Sequence, residues 1–243
     1  MNRFVIITEV RTGYQMIAMA LNSHPDVICL GEIFGSDRDI RKQSLFRNKV
    51  DVYEEDDCPV EYLESVTSSL DCGSFGFKLN YDDHVRLPNL CHLKSYLRDT
   101  GWKIIHLTRE NMLDRLMSQK LAWQEEVWRD KEYSSRVHIE PLEFINNCIH
   151  SWQWRDETEM FFRDSNLLRV FYEKTSSCPE HGMDRIQRFI GCEPMKLSII
   201  TRKQMRKSQF YHIQNFRELY HHFEKEEHLR RSFIRFFQQI PLL

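Results

Sequence analysis

The N-terminal stretch that ends at Glu32 constrains the fold of this chain more than any other. An apolar run at 4–7 predicts a buried β-strand, and apolar residues at helical spacing predict a helix over 14–21. The helix is expected to end before Pro25, because the residue preceding a proline is pushed out of the helical region. A second apolar run at 27–30 predicts a strand that leads directly to Glu32. This strand, loop, helix and strand predict an open α/β sheet with a carboxylate at the edge where such sheets bind ligands.

The loop before this helix has the features of an anion-binding site. Free backbone N–H groups at the start of a helix, with the positive end of its dipole, form a socket of phosphate size. Arg11 adds a fixed charge and a planar set of donors, and Gly13 lets the backbone approach a ligand closely. The alternative is a surface turn in which Thr12 caps the helix. An ordinary nucleoside-triphosphate loop is disfavoured, because Gly-x-x-x-x-Gly-Lys-Ser/Thr does not occur in the sequence.

Composition favours a soluble globular protein with one domain over residues 1–243. The hydrophobic fraction is 41% and the aromatic fraction is 12%, and a chain of 243 residues can bury a substantial core. The formal net charge of −2 provides no general basic field, so nucleic acid is not favoured as a partner. No apolar stretch is long enough to span a bilayer, and the run at 4–7 is interrupted by Glu9 and Arg11 before it could form a signal core. We therefore expect a cytoplasmic protein.

The cysteines and histidines do not suggest a metal or redox centre. The seven cysteines are scattered along the chain, and no Cys-x-x-Cys pair occurs. Reduced thiols are the expectation for a cytosolic protein. Since the histidines and acidic residues also lack a recognised ligand spacing, we expect no metal ion.

The remainder of the chain alternates between predicted helices and strands. Further strands are expected at 74–79, 103–108 and 167–173. Further helices are expected at 37–50, 59–70, 88–100, 111–128, 141–163, 179–190 and 215–239. This order is typical of βαβ units, so the predicted fold is α/β and three-layered, with a central, mostly parallel sheet flanked by helices. The segment at 34–57 follows Glu32 directly, so it either covers the ligand site at that edge of the sheet or contains a solvated helix of mixed charge.

Lys78 and Tyr81 are candidates for contact with a substrate. They lie at or just past the end of the predicted strand at 74–79. If that strand is parallel to the first one, both residues face the same edge of the sheet as Glu32. The alternative for Lys78 is an ordinary surface lysine.

Arg109 is a candidate phosphate ligand. It stands where the predicted strand at 103–108 ends and a long helix begins. A guanidinium group can hold a phosphate through two parallel charge-assisted hydrogen bonds. The alternative is a strand-end residue that pairs with Glu110 or Asp114.

Several of these segments resemble the bacterial sulfotransferases. The first resemblance covers Arg11-Thr-Gly, the following helix, Leu21-Asn-Ser-His-Pro-Asp-Val and Gly31-Glu32, which are similar to the start of such an enzyme. The second covers residues 102–118, where a strand ends in Arg and a helix carrying Ser follows, as in the segment of that family that binds a 3′-phosphate. A weaker match is Tyr172-Glu173. The order and spacing of the two main segments are more specific than either segment alone.

The resemblance implies a P-loop-like sulfotransferase fold and 3′-phosphoadenosine 5′-phosphosulfate (PAPS) as donor of a sulfuryl group. Arg11 takes the place of the loop's cationic residue, and Glu32 takes the place of the glutamate that removes the acceptor's proton. Arg109 and Ser118 take the places of the residues that bind the 3′-phosphate. The resemblance further assigns a set of loop residues to the 5′-phosphosulfate: Arg11, Thr12, Gly13, Tyr14, Gln15 and Met16.

The chain departs from the family pattern at two places. Ser or Thr commonly follows the loop glycine, whereas Tyr14 and Gln15 stand there in this chain. In many of these enzymes the serine lies eight residues after the arginine; here Met117 stands at that place and Ser118 is one residue later. Either the helix start is shifted by one residue, or the pair of Arg109 and Ser118 is not intact.

The basic run at 201–208 resembles a late loop that closes over the nucleotide in many sulfotransferases. By that resemblance Arg202 and Lys203 would contact the 3′-phosphate. The alternative is a charged surface loop.

Three classes of function remain open on the sequence alone. The first is transfer of a sulfuryl group from PAPS to a hydroxyl of a carbohydrate, glycolipid or small natural product. The second is an inactive relative that binds the nucleotide and has a regulatory or scaffold role, which the unusual Tyr14 and Gln15 would suit. The third is a P-loop kinase using ATP, against which the missing loop Lys argues.

Overall fold

The computed structural model describes residues 1–34, 58–85, 87, 89–128, 131–199 and 209–225. The chain forms two units. The first comprises Met1–Glu9, Gly13–Thr108 and Glu157–Ile200, and the second comprises Val10–Thr12, Arg109–Asp156 and Thr201–Leu243. The single domain expected over 1–243 stays a prediction.

The first unit is built on a parallel β-sheet. Its strands are β1 (Asn2–Thr8), β2 (Val27–Glu32), β3 (Ser74–Asn80), β4 (Lys103–Thr108) and β5 (Leu167–Phe171). They lie in the order β2-β3-β1-β4-β5, and all neighbouring strands are parallel. The predicted α/β class with a mostly parallel sheet is confirmed. Because β1 has later strands on both sides, its carboxyl end is the point at which the chain connections diverge, where open α/β sheets bind ligands.

The helices of the described residues follow the predicted order. They are α1 (Tyr14–Leu21), α2 (Pro59–Ser68), α3 (Leu90–Asp99), α4 (Met112–Glu125), α5 (Pro141–Phe161), α6 (Tyr172–Ser177), α7 (Pro179–Ile190), α8 (Gln209–His212) and α9 (Phe216–Phe223). A 3₁₀ turn over Tyr81–Val85 follows β3. Prolines open α2 and α7, since the first helical position needs no N–H donor.

One face of the sheet is covered by α1 and α7. Phe4 and Ile6 of β1 share a cluster of buried residues with Ile17 of α1 and Ile186 of α7. Phe4 and Ile6 point to the same side of the sheet, because successive side chains of a strand alternate between its two faces. The apolar stripes of the two helices are therefore buried against this face.

The other face of the sheet is rich in aromatic side chains. Val5 of β1 lies opposite Phe77 of β3 and points away from the cluster just described. Phe77 packs edge-on against Phe34 and Trp102, with ring centroids 5.7 and 5.6 Å apart. Phe34 in turn packs against Tyr62 of α2. Helices thus lie on both faces of the sheet, as the three-layer prediction requires.

The second unit has a helical core. Its buried side chains come mainly from α4, α5 and α9: Met112, Leu113, Leu116, Met117, Leu121, Phe144, Cys148, Phe216, Leu219 and Phe223. α4 begins where the Asn111 side chain accepts a hydrogen bond of 2.9 Å from the backbone N–H of Asp114. In the connection between α4 and α5, Val137 pairs with Ile213 in an isolated parallel bridge.

The structure corrects one strand boundary. The strand expected at 167–173 ends at Phe171, and Tyr172 and Glu173 begin α6. Phe171 pairs with Thr108, the last residue of β4, so the ladder has no partner beyond it. The alternating pattern of side chains continues in the sequence although the backbone hydrogen bonds cannot.

Several predicted segments lie outside the described residues. They are the helix at 37–50, the whole segment at 201–208 and the end of the helix expected at 215–239. Among the helices that the structure does describe, none combines the length and apolar character that crossing a bilayer requires.

Candidate functional site

An ion pair between Glu32 and Lys78 lies at the carboxyl end of β2 in the first unit. Lys78 Nζ is 2.5 Å from Glu32 Oε1, and the side chains are 9% exposed for Lys78 and 17% for Glu32. Lys78 is therefore not the ordinary surface lysine that the sequence left open. The structure brings a cation and the predicted base together with little water around them.

A β-bulge in β2 brings this pair into register. Cys29 pairs with Gly76, but the next paired position joins Glu32 to Lys78. β2 thus has one more residue than β3 over this interval. In an uninterrupted ladder Gly31 would stand opposite Lys78. Bulges re-aim side chains, and this one aims a carboxylate at the ammonium group.

The start of α1 requires a glycine. Gly13 is the N-cap residue of α1 with φ 84°, so the alternative in which Thr12 caps the helix is not observed. A Cβ atom on Gly13 would lie 2.2 Å from the ring of Tyr172. The backbone N–H of Met16, one of the predicted anion donors, donates to the Gly13 carbonyl at 3.1 Å.

Tyr14 directs its side chain toward β2. Its hydroxyl donates a hydrogen bond to the Leu30 carbonyl and lies 3.7 Å from Cys29 Sγ. Its ring centroid is 5.4 Å from Lys78 Nζ, within the range of a cation–π contact. Burial, and then the neighbouring Cys29, raises the pKa of the Tyr14 hydroxyl well above its ordinary value, so the group remains a donor.

A second acidic group, Asp83, is buried in the same unit. Burial raises its pKa to about 6. The backbone N–H of Asn80, which donates to Asp83 Oδ2 at 2.7 Å, lowers the pKa in part, whereas the charge of Glu32 raises it further. A carboxyl group of this kind changes charge near neutral pH.

Tyr81 lies in the interior of the first unit. It is 4% exposed, and its hydroxyl contacts His106 Nε2, whose own side chain is fully buried. The other ring nitrogen of His106 lies 3.3 Å from Glu159 Oε1. Glu159 is in turn paired with Arg169 at 2.8 Å. The Tyr81 hydroxyl thus belongs to a polar network that begins at the buried His106 and ends at the exposed Arg169.

In the second unit, Arg11 is held by three groups. Its Nε donates to Ser118 Oγ at 2.9 Å, one terminal nitrogen donates to the Trp128 carbonyl at 2.8 Å, and the other donates to the Tyr133 hydroxyl at 2.8 Å. Its guanidinium carbon also lies 5.9 Å from the centroid of the Tyr133 ring. The backbone of Arg11 is left-handed, with φ 64°, a conformation that non-glycine residues adopt at a cost.

In the same unit, α4 presents Ser118 to Arg11. Ser118 is 3% exposed and contacts Arg11, whereas Met117 is fully buried in the apolar core. α4 starts at Met112, after the Asn111 cap, and this start turns Ser118 toward Arg11. The serine one residue later in sequence is therefore the one that faces the arginine of the loop.

Arg109 joins the same group of residues. One terminal nitrogen donates to the Arg11 carbonyl at 3.0 Å, and the other lies 3.4 Å from Asp114 Oδ2. The Arg109 carbonyl accepts a hydrogen bond of 2.7 Å from Arg155. Arg109 is 7% exposed, so its charge is largely shielded from solvent. Both the pairing with Asp114 and the proximity to the loop are thus present.

One residue that contacts Arg11 was not predicted from the sequence, and two predicted residues lie outside the part of the chain that the structure describes. Tyr133 carried no recognisable signal, because it stands in a polar connection without periodicity. Its hydroxyl accepts from Arg11 and donates to the Val127 carbonyl at 3.0 Å. Arg202 and Lys203 lie outside the described residues.

The described residues contain no group of three or more His, Cys, Asp or Glu side chains placed to hold a metal ion. Two clusters of side chains can take part in chemistry. In the first unit a carboxylate, Glu32, lies beside an ammonium group, and in the second unit two guanidinium groups lie beside the Ser118 hydroxyl.

The fold identifies the structural class of the protein. A crystal structure of a sulfotransferase from Alicyclobacillus acidocaldarius superposes with a TM-score of 0.50 and 12% identity, over 84% of this chain and 86% of that one. Mouse sulfotransferase SULT7A1 complexed with PAP is more distant, with a TM-score of 0.47 and 16% identity over 80% and 60% of the two chains. The chain has the sulfotransferase fold, and the resemblance noted in the sequence is confirmed at that level.

Among individual proteins, the chain is similar to Nodulation protein H of Rhizobium tropici. The two are 24% identical over 231 residues, which cover 90% of this chain and 88% of the relative. No family model matches the sequence.

Proposed function

We propose that this protein is a PAPS-dependent sulfotransferase that transfers the sulfuryl group to a hydroxyl. The observation that carries the proposal is the meeting of Arg11, Arg109 and Ser118, which come from separate segments of the sequence. By the resemblance to sulfotransferases, these three residues bind the phosphate groups of the donor. The sulfotransferase fold and the similarity to Nodulation protein H support the same conclusion.

The three side chains suit a phosphate group chemically. Two guanidinium groups offer planar sets of donors, and Ser118 can donate its hydroxyl hydrogen once Arg11 donates to its oxygen. The left-handed backbone of Arg11 turns its carbonyl toward Arg109 and its side chain toward Ser118. Hydrogen bonds from charged groups contribute about 1.5–3 kcal/mol each, so the loss of one such contact would be measurable in donor affinity.

Glu32 is the general base of the proposal. The acceptor oxygen attacks sulfur in line with the leaving phosphate, the bond between sulfur and the bridging oxygen breaks, and the acceptor's proton passes to the carboxylate. 3′-Phosphoadenosine 5′-phosphate (PAP) leaves with the electron pair of the broken bond. Lys78 Nζ, 2.5 Å from Glu32 Oε1, holds this carboxylate in place at the end of β2. Such reactions depend chiefly on positioning and on stabilisation of developing charge.

The acceptor is proposed by chemical class alone. A carbohydrate, a glycolipid or a small natural product supplies the hydroxyl, and no metal ion takes part. Incubation with PAPS carrying radiolabelled sulfate and a panel of these three classes would identify the acceptor by transfer of label.

The first experiment is a calorimetric titration with PAP, compared with ADP and with ATP plus magnesium. Tight binding of PAP alone is the expected result. Binding of PAP without transfer to any acceptor of the panel would instead favour the inactive, regulatory relative. A preference for ATP, with magnesium-dependent hydrolysis, would overturn the proposal in favour of a kinase.

A variant of Ser118 tests the proposed phosphate-binding site directly. Ser118→Ala is expected to weaken PAP binding about tenfold, because one hydrogen bond to a phosphate, shielded from solvent, is lost. Ser151→Ala is a matched control, since Ser151 is fully buried in the same unit and its hydroxyl contacts Met112 Sδ in the apolar core. Equal PAP affinity in the two variants would remove Ser118 from the proposed site.

The base is tested by Glu32→Gln. This variant keeps the shape of the side chain and loses its ability to accept a proton, so kcat should fall at least about a hundredfold, as is typical for general-base catalysis. PAP affinity should stay within about twofold of the wild type. Turnover close to the wild-type rate would contradict the assignment of Glu32.

A further inference from the structure

We propose that Tyr14 is a positioning residue that holds Glu32 and Lys78 together, through its hydroxyl on the bulge of β2 and its ring on the lysine. This inference rests on the proposed sulfuryl transfer, in which Glu32 is the base. Tyr14 stands where many sulfotransferases carry Ser or Thr. In this chain the residue acts on β2 and β3.

The first step of the argument concerns the hydroxyl. It donates to the carbonyl of Leu30, which lies inside the bulge between Cys29 and Glu32. A bulge interrupts the regular ladder, so its backbone needs hydrogen bonds from elsewhere. Tyr14 supplies such a hydrogen bond, and the raised pKa of its hydroxyl keeps the donor proton in place.

Asn22, at the other end of α1, anchors the adjoining residue. Its side-chain amide donates to the Cys29 carbonyl at 2.8 Å and accepts from the Cys29 N–H at 2.8 Å. α1 therefore holds β2 through Asn22 before the bulge and through Tyr14 within it. Since a shift of one residue would place Gly31 opposite Lys78, this anchoring determines which side chain meets the lysine.

The second step concerns the ring. Its centroid is 5.4 Å from Lys78 Nζ, and the Lys78 side chain is 9% exposed. An ammonium group with little water around it gains from the negative face of an aromatic ring. The ring thus restricts Lys78 to the position in which it contacts Glu32.

These two contacts make separable predictions. Tyr14→Phe removes the hydroxyl and retains the ring, whereas Tyr14→Leu removes both. We expect Tyr14→Phe to lower kcat about tenfold, and the further change from Phe to Leu to lower it about fivefold more. PAP affinity and the acceptor KM should stay within about twofold, because neither contact is made to a substrate.

A double-mutant cycle distinguishes positioning from packing. The change from Phe to Leu at position 14 is made in the wild type and in Lys78→Met. If the ring acts through Lys78, the fivefold difference disappears in the Lys78→Met background. The same fivefold difference in both backgrounds would overturn the inference. Should Tyr14→Leu fail to fold, Tyr14→Met fills the space with a flexible apolar side chain and gives the same comparison.

A chemical measurement is independent of turnover. Lysines are labelled with an amine-reactive ester and quantified by mass spectrometry, with the 86%-exposed Lys196 as reference. Lys78 should be labelled slowly in the wild type and Tyr14→Phe, and at least about fivefold faster in Tyr14→Leu. An unchanged rate in Tyr14→Leu would contradict the role of the ring. Absence of sulfuryl transfer by the wild type would contradict the proposed function instead, and the labelling result would still report on the contact.

Discussion

Replacement of Lys78 by methionine should destabilise the fold far more than removal of a lysine from an exposed ion pair. The change leaves Glu32 without the ammonium group 2.5 Å from its carboxylate, in a place where the side chains are 9% and 17% exposed. Removal of one partner from a fully buried ion pair costs about 3–5 kcal/mol, because the other charge stays buried. Glu32 retains some contact with water, so we expect a loss of about 2–4 kcal/mol in the free energy of unfolding.

Lys120→Met is the matched control for this prediction. Lys120 lies 2.7 Å from Glu143, but these side chains are 28% and 38% exposed. Exposed pairs contribute about 0.2–1 kcal/mol, so this variant should lose less than about 1 kcal/mol. Both variants change the same atoms in the same way and differ in the burial of the pair.

Equilibrium unfolding in urea at pH 7 measures both losses. The double variant Lys78→Met with Glu32→Gln should recover most of the lost stability, because neither charge of the pair remains. A loss for Lys78→Met no larger than that for Lys120→Met would refute the reasoning. So would a double variant whose loss equals the sum of the two single losses, since residues in contact should not be additive.

Two further predictions concern Asp83 and Gly13. The pKa of Asp83 is raised from 3.8 to about 6, so its contribution to stability is complete below pH 3.8 and is lost as the pH rises through about 6. Urea unfolding should show that loss, about 3 kcal/mol, in the wild type and not in Asp83→Asn. The same pH dependence of stability in both proteins would contradict the prediction. Gly13→Ala should lower the free energy of unfolding by more than about 3 kcal/mol, because φ is 84° and the new Cβ would lie 2.2 Å from the Tyr172 ring. Gly101→Ala, with φ 72° and no atom within 4 Å of the new Cβ, should cost only about 1 kcal/mol in the same assay, and similar losses would refute the steric argument.

Local signals in the sequence were sufficient for most elements of the fold. The helix over 14–21, the strand over 103–108 and the helix over 179–190 were predicted with the bounds that the structure has. Apolar periodicity, a proline at the start and a glycine at the end act over a few residues, so they can be interpreted without knowledge of the partners. The parallel sheet followed from the alternation of these elements.

Boundaries that depend on a partner strand were not predicted. The strand expected to reach residue 173 stops at Phe171, because β4 ends opposite it. The bulge in β2 is of the same kind, since it exists only in the pairing with β3. The strand end has no signature in the residues of its own strand, whereas Gly31 permits a bulge in β2 without determining the pairing that produces it.

For the candidate site as well, some features followed from the sequence and others depended on the tertiary structure. The sequence by itself determined that Glu32 follows a buried strand, that Arg11 stands in a loop before a helix, and that Arg109 ends another strand. Only the tertiary structure decided that Ser118 rather than Met117 meets Arg11, and that Tyr14 turns away from the loop to hold β2. The physical reason is that secondary structure follows from interactions between near neighbours in the chain, whereas the direction and partner of a side chain depend on packing between segments far apart in sequence.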